Sequence, residues 1–313
     1  MAPDLAEYRR KRDLTRTPEP APGPGSEAAG SRFVIQRHDA RSLHFDLRLE
    51  VDGVLASWAV PKGVPLREGV RRMAVRTEDH PLDYLDFAAV IPEGQYGAGR
   101  MTIWDAGAYE TELRTDDEWK VILHGERVDG HYHLVRTARE PGGNDWLVFR
   151  AAAGPDGPPD LRSAFATLRP MLASSAPEPF DDDEWSFELK WDGYRALVLI
   201  DGDGALLRSR NGNDLGAAFG ESRDLRRAAL VQEAVIDAEL VVLDAEGRAD
   251  FGALQRGSGD PVLMAFDLLY DDGRWLTDRP LHERRARLRA LLAPEAATAL
   301  ILSDEVSGAG TAL

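Results

Sequence analysis

The 313-residue sequence contains no cysteine. That absence excludes disulfides, thiolate zinc sites and cysteine nucleophiles together, so any metal must be held by nitrogen and oxygen ligands. No run approaches the roughly 18 apolar residues of a membrane span, and the opening MAPDLAEYRRKRDL lacks the apolar core of a signal peptide. These features predict a soluble cytoplasmic protein without a membrane partner. Positive charge is also in short supply. The formal net charge is −16, with residues 1–150 holding 21 Lys and Arg against 25 Asp and Glu, so −12 of the excess falls on residues 151–313. A protein that coats nucleic acid normally carries surplus Lys and Arg, so any phosphate binding must rest on a local basic patch. Histidine is scarce too, at 7 residues, yet His38 and His44 lie six apart.

That pair sits in RHDARSLHFDLRLE, Arg37 to Glu50. From Leu43 to Val51 apolar and polar residues alternate, which predicts a half-buried strand with His44, Asp46, Arg48 and Glu50 on one face, each about 7 Å from the next. Two readings of that face stay open on the residues alone. It is either an ordinary solvated outer face, as on many antiparallel sheets, or a set in which imidazole and carboxylate bind a first-row metal while Arg48 grips a phosphate with its planar fork of donors.

Short alternating runs fill the chain from about Arg32 to Ala152, punctuated by Asp52-Gly53, Asp129-Gly130 and Gly142-Gly143. They predict an antiparallel β-barrel or sandwich with little helix. Upstream, a basic stretch passes into APGPGSEAAGS, which reads as a linker. A second linker, AAGPDGPPD, precedes a region of different texture. WSFELKWDGYRALVLIDGDG, GALLRSRNG, AVIDAELVVLDAEG and PVLMAFDLLYDDG read as strands, RDLRRAALVQEA and PLHERRARLRALL as helices. The predicted division is an arm and linker over 1–31, a barrel over 32–152, a linker over 153–165 and a second domain over 166–313.

FVIQRHDARSLHFDLRLEVDGVLASWAVPKG, followed in order by RTEDHPLDY, IPEGQYGAG and DWLVF, resembles the 3′-phosphoesterase domain of bacterial DNA ligase D. The resemblance implies a small β-barrel with a Mn²⁺-dependent site that removes a terminal ribonucleotide and then a 3′-phosphate from DNA 3′ ends. By it His38, His44 and Asp46 match metal ligands, Arg48 and His80 match phosphate-holding residues, and Tyr84 matches a further active-site residue. Taken singly, His80 and Tyr84 read as a satisfied loop histidine and a core-edge tyrosine; taken with the upstream strand they read as site residues. Lys62, Arg72 and Glu78, and Arg12, Asp13 and Glu19 of the N-terminal arm, match residues the family needs, and the arm is expected to fold over the site. Arg12, Arg48, Lys62 and Arg72 are the expected basic patch. The PEGQYGAG stretch, Pro92 to Gly99, reads either as a substrate-facing loop or as tight turns.

In the second region FELKWDGYRA contains KxDGxR and resembles the nucleotidyltransferase signature of ATP-dependent DNA ligases, with SRNG, DAEL and AFDLLY following in the family's order. The resemblance implies Lys190 as the nucleophile that takes AMP from ATP, Arg195 and Arg210 as ribose or phosphate contacts, Glu239 as a ribose or metal contact with Mg²⁺ or Mn²⁺, and Phe266 as the adenine stack. Ala238 stands where the family usually has glycine. The sequence stops at Leu313, ahead of the family's later phosphate-binding residues and OB-fold domain. The expectation is therefore a partial adenylation domain that neither labels Lys190 with ATP nor seals nicks.

The expected fold class is α+β, an antiparallel β-barrel followed by a partial α+β nucleotidyltransferase domain of the ATP-grasp-like ligase kind. The expected function is DNA end repair in bacterial non-homologous end joining, with primer-template or double-strand-break 3′ ends as substrate, Ku as partner and a nucleoid-associated location. Ligation as the main activity and a non-catalytic DNA-end adaptor are the alternatives, and metal-dependent release of phosphate separates the adaptor from the enzyme.

Overall fold

The computed structural model describes residues 5–23, 30–137, 143–151, 161–176, 178–219, 225–292 and 299–312. The chain forms two compact units, Met1–Pro158 and Pro159–Leu313. Among the described residues no helix is long and apolar enough to cross a membrane.

The first unit opens with α1 (Ala6–Lys11) and continues through β1 (Arg32–Asp39), β2 (Leu43–Val51), β3 (Val54–Val60), β4 (Arg71–Arg76), β5 (Ala89–Ile91), β6 (Gly99–Arg114), β7 (Glu118–His124), β8 (Asp129–Arg136) and β9 (Asp145–Arg150). The strands hydrogen-bond in the order β1-β2-β3-β4-β9-β8-β7-β6, and β6 pairs back onto β1, so eight antiparallel strands close a barrel. β5 attaches to the outside end of β6. Closure leaves the eight strands without a free edge.

Strand alternation decides which side chains fill the barrel. Phe33, Ile35, Phe45, Leu47, Leu49, Trp58, Trp119, Tyr132 and Trp146 point inward and form its core. The β2–β3 hairpin turns at Asp52 (φ 50°) and Gly53 (φ 80°), two consecutive left-handed residues of the kind a two-residue hairpin demands. The turn expected at Asp129-Gly130 lies instead at Gly125–Val128. There the Asp105 carboxylate accepts from the N–H groups of Glu126 (3.1 Å), Arg127 (3.1 Å) and Val128 (2.8 Å), which satisfies the turn and leaves Gly130 inside β8. Gly142 of the expected Gly142-Gly143 turn lies outside the described residues.

β2 departs from the half-buried strand that its alternation predicts, because its polar face is covered as well. A second apolar cluster packs on the outside of the barrel there, joining Leu5 and Tyr8 of the N-terminal segment to Val34, Leu55, Tyr84, Leu85, Phe87, Ile91 and Met101. Two segments supply the cover. One is the arm around α1, upstream of Arg32. The other runs from His80 to Gly97 and is tied to β3 by two backbone hydrogen bonds between Leu55 and His80, 2.8 and 3.0 Å.

The second unit is mixed α and β: α2 (Leu161–Thr167), β10 (Asp181–Glu188), β11 (Tyr194–Asp201), β12 (Gly204–Ser209), α3 (Gly216–Phe219), α4 (Leu225–Ala228), β13 (Ala234–Val242), α5 (Phe251–Arg256), β14 (Pro261–Asp271), β15 (Arg274–Trp275), α6 (Leu281–Leu291), β16 (Leu300–Leu302) and β17 (Glu305–Ala309). Its main sheet runs β12-β11-β13-β14-β15, with β16 parallel to β14, and β10 pairs with β17 apart from it. Both faces of β13 are largely buried, and its apolar residues are interrupted only by Asp237 and Glu239. The helix expected over RDLRRAALVQEA is, among its described residues, only α4. After Ala228 the helix ends, with Leu230 N–H donating to Leu291 O (2.6 Å) and the N–H groups of Gln232 and Glu233 donating to the Asp272 carboxylate (2.9 and 2.8 Å). Those bonds replace the helical ladder and deliver the chain into β13.

Candidate active site

The register of β1 against β2 places His38 directly opposite His44, and Gln36 opposite Asp46. Directly opposed residues on one face are cross-strand neighbours, and Asp46 follows His44 by two residues on that face. The two imidazole centroids lie 4.7 Å apart. His38 Nδ1 and His44 Nε2 each stand 3.7 Å from an oxygen of Asp46. One ligand atom from each of the three residues falls within 4.8 Å of the others.

The far nitrogens decide what the near ones can do. His38 Nε2 lies 2.8 Å from Gly97 O, and His44 Nδ1 lies 2.9 Å from Ser42 O. A carbonyl only accepts, so each far nitrogen carries a proton, and the nitrogen left facing Asp46 is the one that can offer a lone pair to a metal ion. Two imidazoles and one carboxylate in this arrangement make a donor set that suits a divalent metal ion. Burial opposes charge on Asp46, but the Arg48 guanidinium beside it holds its carboxyl well below the usual carboxylate range. The carboxylate is thus present at neutral pH.

Arg48 lies next along β2 and is buried. Its Nε donates to Gln36 Oε1 (2.7 Å), one terminal nitrogen to Ser57 Oγ (2.9 Å) and the other to Asp46 (3.0 Å). Gln36 in turn donates to the carbonyls of Tyr84 (2.9 Å) and Phe87 (2.7 Å), so the guanidinium and the His80–Gly97 cover are held by one amide. Gln36 and Ser57 carry no signal in the sequence beyond sharing the strand face of His38 and Arg48.

Arg12 reaches the same pocket from the arm. It donates to Glu19 (2.6 Å) and Glu78 (2.7 Å) and meets His80 Nε2 at 3.1 Å. Lys11 adds a second cation on Glu78 at 2.8 Å. Burial opposes ionisation of Glu78, and Lys11 and Arg12 together overcome it and lower its pKa. His80 Nδ1 donates to Glu78 O (2.8 Å), which leaves Nε2 as the acceptor for Arg12. Burial, then the charges of Arg48 and Arg12, push the pKa of His80 well below its ordinary value and keep the ring neutral. Tyr84 OH donates to Glu19. The pocket these groups line measures about 220 Å³.

The structure therefore gathers His38, His44, Asp46, Arg48, His80, Tyr84, Arg12, Glu19 and Glu78 around one cavity. It does not gather the rest. Asp13 is exposed and accepts from Thr15 N–H (3.2 Å) and Oγ1 (2.7 Å) in a local turn. Lys62 is exposed and Arg72 sits on β4, and neither is among the residues that line this pocket.

In the second unit Arg195 and Glu239 oppose one another across β11 and β13. Arg195 forms a two-point pair with Asp237 (2.6 and 2.8 Å), and its guanidinium lies 4.5 Å from the ring centre of Phe266. Burial raises the Glu239 carboxyl to about 7, against the opposing charges of Arg195 and Lys190. Gly193 of KxDGxR is required by contact, since a Cβ there would lie 2.2 Å from Leu240 O. Arg210 is exposed in the turn after β12. Asp237, the partner that fixes Arg195, has no counterpart among the residues singled out from sequence.

Comparison with known proteins matches residues 36–136 to the DNA ligase D 3′-phosphoesterase domain and residues 170–309 to the ATP dependent DNA ligase domain. The chain is 42% identical over 318 residues to the multifunctional non-homologous end joining DNA repair protein LigD of Mycobacterium tuberculosis, covering 99% of this chain and 41% of that protein. It is 40% identical over 341 residues to the multifunctional non-homologous end joining protein LigD of Pseudomonas aeruginosa, covering 92% and 40%. The chain thus spans about two fifths of the length of these curated relatives. Among solved structures, a mycobacterial DNA ligase D complexed with ATP and MES aligns at 36% identity and a TM-score of 0.42, covering 47% of this chain and 49% of that one.

Proposed function

By its two domains the chain belongs to the DNA ligase D family, and from that premise we propose that its N-terminal unit is a metal-dependent DNA 3′-phosphoesterase acting in non-homologous end joining. The observation that carries the reading is the convergence of His38, His44 and Asp46, one ligand atom from each within 4.8 Å of the others, with Arg48 3.0 Å from that carboxylate. A divalent ion held by these three residues, Mn²⁺ in this proposal, would polarise a phosphoryl oxygen and lower the pKa of a water bound to it.

The chain's own groups do the rest. Arg48 and Arg12 place two fixed positive charges beside the pocket, where charge grows on the phosphate oxygens as water adds to phosphorus and the bond to the 3′ oxygen breaks. The 3′ oxygen leaves with a proton as the 3′-hydroxyl, and the phosphate is released. Gln36, Ser57, Glu19 and Glu78 hold the two guanidinium groups so that little reorganisation is needed. For a terminal ribonucleotide, water would add to the diester phosphorus and the bond to the 5′ oxygen of that ribonucleoside would break, the oxygen leaving with a proton as a hydroxyl; the 3′-phosphate so formed is the substrate of the step above.

The domain bounds proposed are a barrel unit over 32–152 with its arm over 1–31, and a ligase unit over 166–313 after a linker. In the ligase unit Lys190 is the residue matched to the family's AMP-accepting lysine, and Arg195, Glu239 and Phe266 are the proposed nucleotide contacts. The contact of Arg195 with Phe266 supports that reading, and ATP-dependent thermal stabilisation lost in Phe266→Ala tests it. Ku and a nucleoid location are the proposed biological setting.

The deciding experiment incubates the chain and Mn²⁺ with a primer-template ending in a 3′-phosphate or a 3′-ribonucleotide. Conversion to a 3′-hydroxyl end that is lost in Asp46→Ala and His44→Ala supports the reading. Binding of ends without turnover would make the chain an adaptor instead.

A further inference from the structure

Tyr96 lies in the glycine-rich Pro92–Gly99 loop, lines the same pocket as His38, His44 and Asp46, and remains 49% exposed. An aromatic ring left half exposed at the rim of a pocket forgoes about half of its burial energy. The loop nevertheless fixes this ring in place. Its backbone closes two turns, Gln95 N–H to Pro92 O and Ala98 N–H to Gln95 O, both 3.2 Å, and Gly94 (φ 82°) and Gly97 (φ 74°) supply the left-handed conformations these turns need. The residue after Tyr96 is the one whose carbonyl orients His38, at 2.8 Å. The ring is therefore coupled through one peptide to the proposed metal site. Lys11 Nζ and the Arg12 guanidinium stand 5.2 and 5.3 Å from its centre.

We propose that Tyr96 is the stacking platform for the terminal nucleoside of the DNA 3′ end being processed. The proposal rests on the phosphoesterase reading of this site and adds how the strand end is seated. Four features argue for it together: the ring's exposure, its place on the pocket wall, its fixed backbone, and the two cations beside it that would face the phosphates flanking a stacked nucleoside. Every base offers a π-face, so such a platform holds the end without selecting its sequence, and stacking of one base on an aromatic side chain is worth about 1–3 kcal/mol.

The test compares wild type, Tyr96→Ala and Tyr96→Phe in Mn²⁺ on two 3′-phosphate primers, one ending in a normal nucleotide and one whose terminal nucleotide is abasic. Wild-type turnover on the normal primer first establishes the phosphoesterase reading, and its absence would sink that reading rather than this one. Given that turnover, Tyr96→Ala is expected to lose about 5- to 150-fold in kcat/KM on the normal primer, mostly through KM, the range that 1–3 kcal/mol of stacking corresponds to. The same variant should match wild type within about twofold on the abasic primer, and Tyr96→Phe should retain wild-type behaviour on both. Equal losses on the two primers would show that Tyr96 only shapes the loop, and no loss on either would show that the base lies elsewhere. Both results overturn the proposal.

Discussion

The guanidinium of Arg12 lies 3.1 Å from Nε2 of His80, and the opposite nitrogen of that ring donates to the carbonyl of Glu78 at 2.8 Å. A cation and an imidazole share this distance only while the ring is neutral. The arm thus locks His80 in one tautomer, and that lock has a measurable cost in acid.

His80 should make the N-terminal unit acid-labile from near neutrality. Its folded pKa lies well below the ordinary 6.5 because of burial and the charges of Arg48 and Arg12. Below pH 6.5 the unfolded chain binds a proton that the folded chain refuses, so stability is complete above that pH and falls as the pH drops through it. Denaturant unfolding of wild type and His80→Gln between pH 7.5 and 5.0 checks this. The wild type should lose stability across that window and the variant should lose distinctly less; parallel curves would show that His80 is not the titrating group.

Divalent metal should stabilise the same unit, since an ion that binds only the folded state adds about 2.7 kcal/mol at a concentration of 100 Kd. Mn²⁺ is expected to raise the melting temperature of the wild type, and Asp46→Asn or His44→Ala should abolish the rise. The Asn variant keeps the shape but removes the charge that two imidazoles and Arg48 now surround. A metal-induced shift that survives both variants would place the ion elsewhere.

Removing Arg12 should be costly and should not be repaired by lysine. Its three contacts leave Glu19 and Glu78, both buried, without their shared counter-charge. Breaking one side of a buried ionic network costs about 3–5 kcal/mol. Arg12→Ala should therefore lower unfolding stability by that order, and Arg12→Lys should recover little, because one ammonium cannot span two carboxylates and a ring nitrogen as a planar fork does. Unfolding free energies of the two variants, measured side by side, decide it; a fully stable Arg12→Lys would show that charge alone suffices.

What could be read in the sequence followed from period. Alternation in LHFDLRLEV puts His44, Asp46 and Arg48 on one face, and the ordered motifs assign His38, His80, Tyr84, Arg12, Glu19 and Glu78 to the same site. What alternation misjudged was exposure. The polar face of β2 is buried because the arm and the His80–Gly97 segment pack Tyr8, Tyr84 and Ile91 over it, a tertiary event with no local signature. Gln36 and Ser57 escaped notice for a related reason. Their importance lies in the partner, Arg48, that the register of three strands brings to them. In the second unit a helix-favouring run at RDLRRAALVQEA yielded to the hydrogen bonds offered by Asp272 and Leu291 from distant elements.

Arg285 should prove a structural keystone of the nucleotide site. It is buried on α6 and donates to Phe266 O (2.9 Å), Ser303 O (2.7 Å) and Glu188 (3.1 Å), and it pairs with Glu305 at 2.8 Å. One guanidinium thereby binds the backbone of the proposed adenine-stacking residue to β10, β17 and the end of β16. Without it the carbonyls of Phe266 and Ser303 lose their donor, and an unsatisfied buried group costs about 1–3 kcal/mol, whereas Glu188 and Glu305 are solvent-accessible and lose less. Arg285→Met fills the space without the donors, so it isolates the loss of hydrogen bonding from the loss of packing. The variant should unfold at lower denaturant concentration and bind ATP more weakly, because Phe266 is no longer held by its carbonyl. Calorimetric ATP binding on variant that is still folded at low temperature separates these effects. ATP affinity equal to wild type in the folded variant would show that Phe266 is positioned by its strand alone.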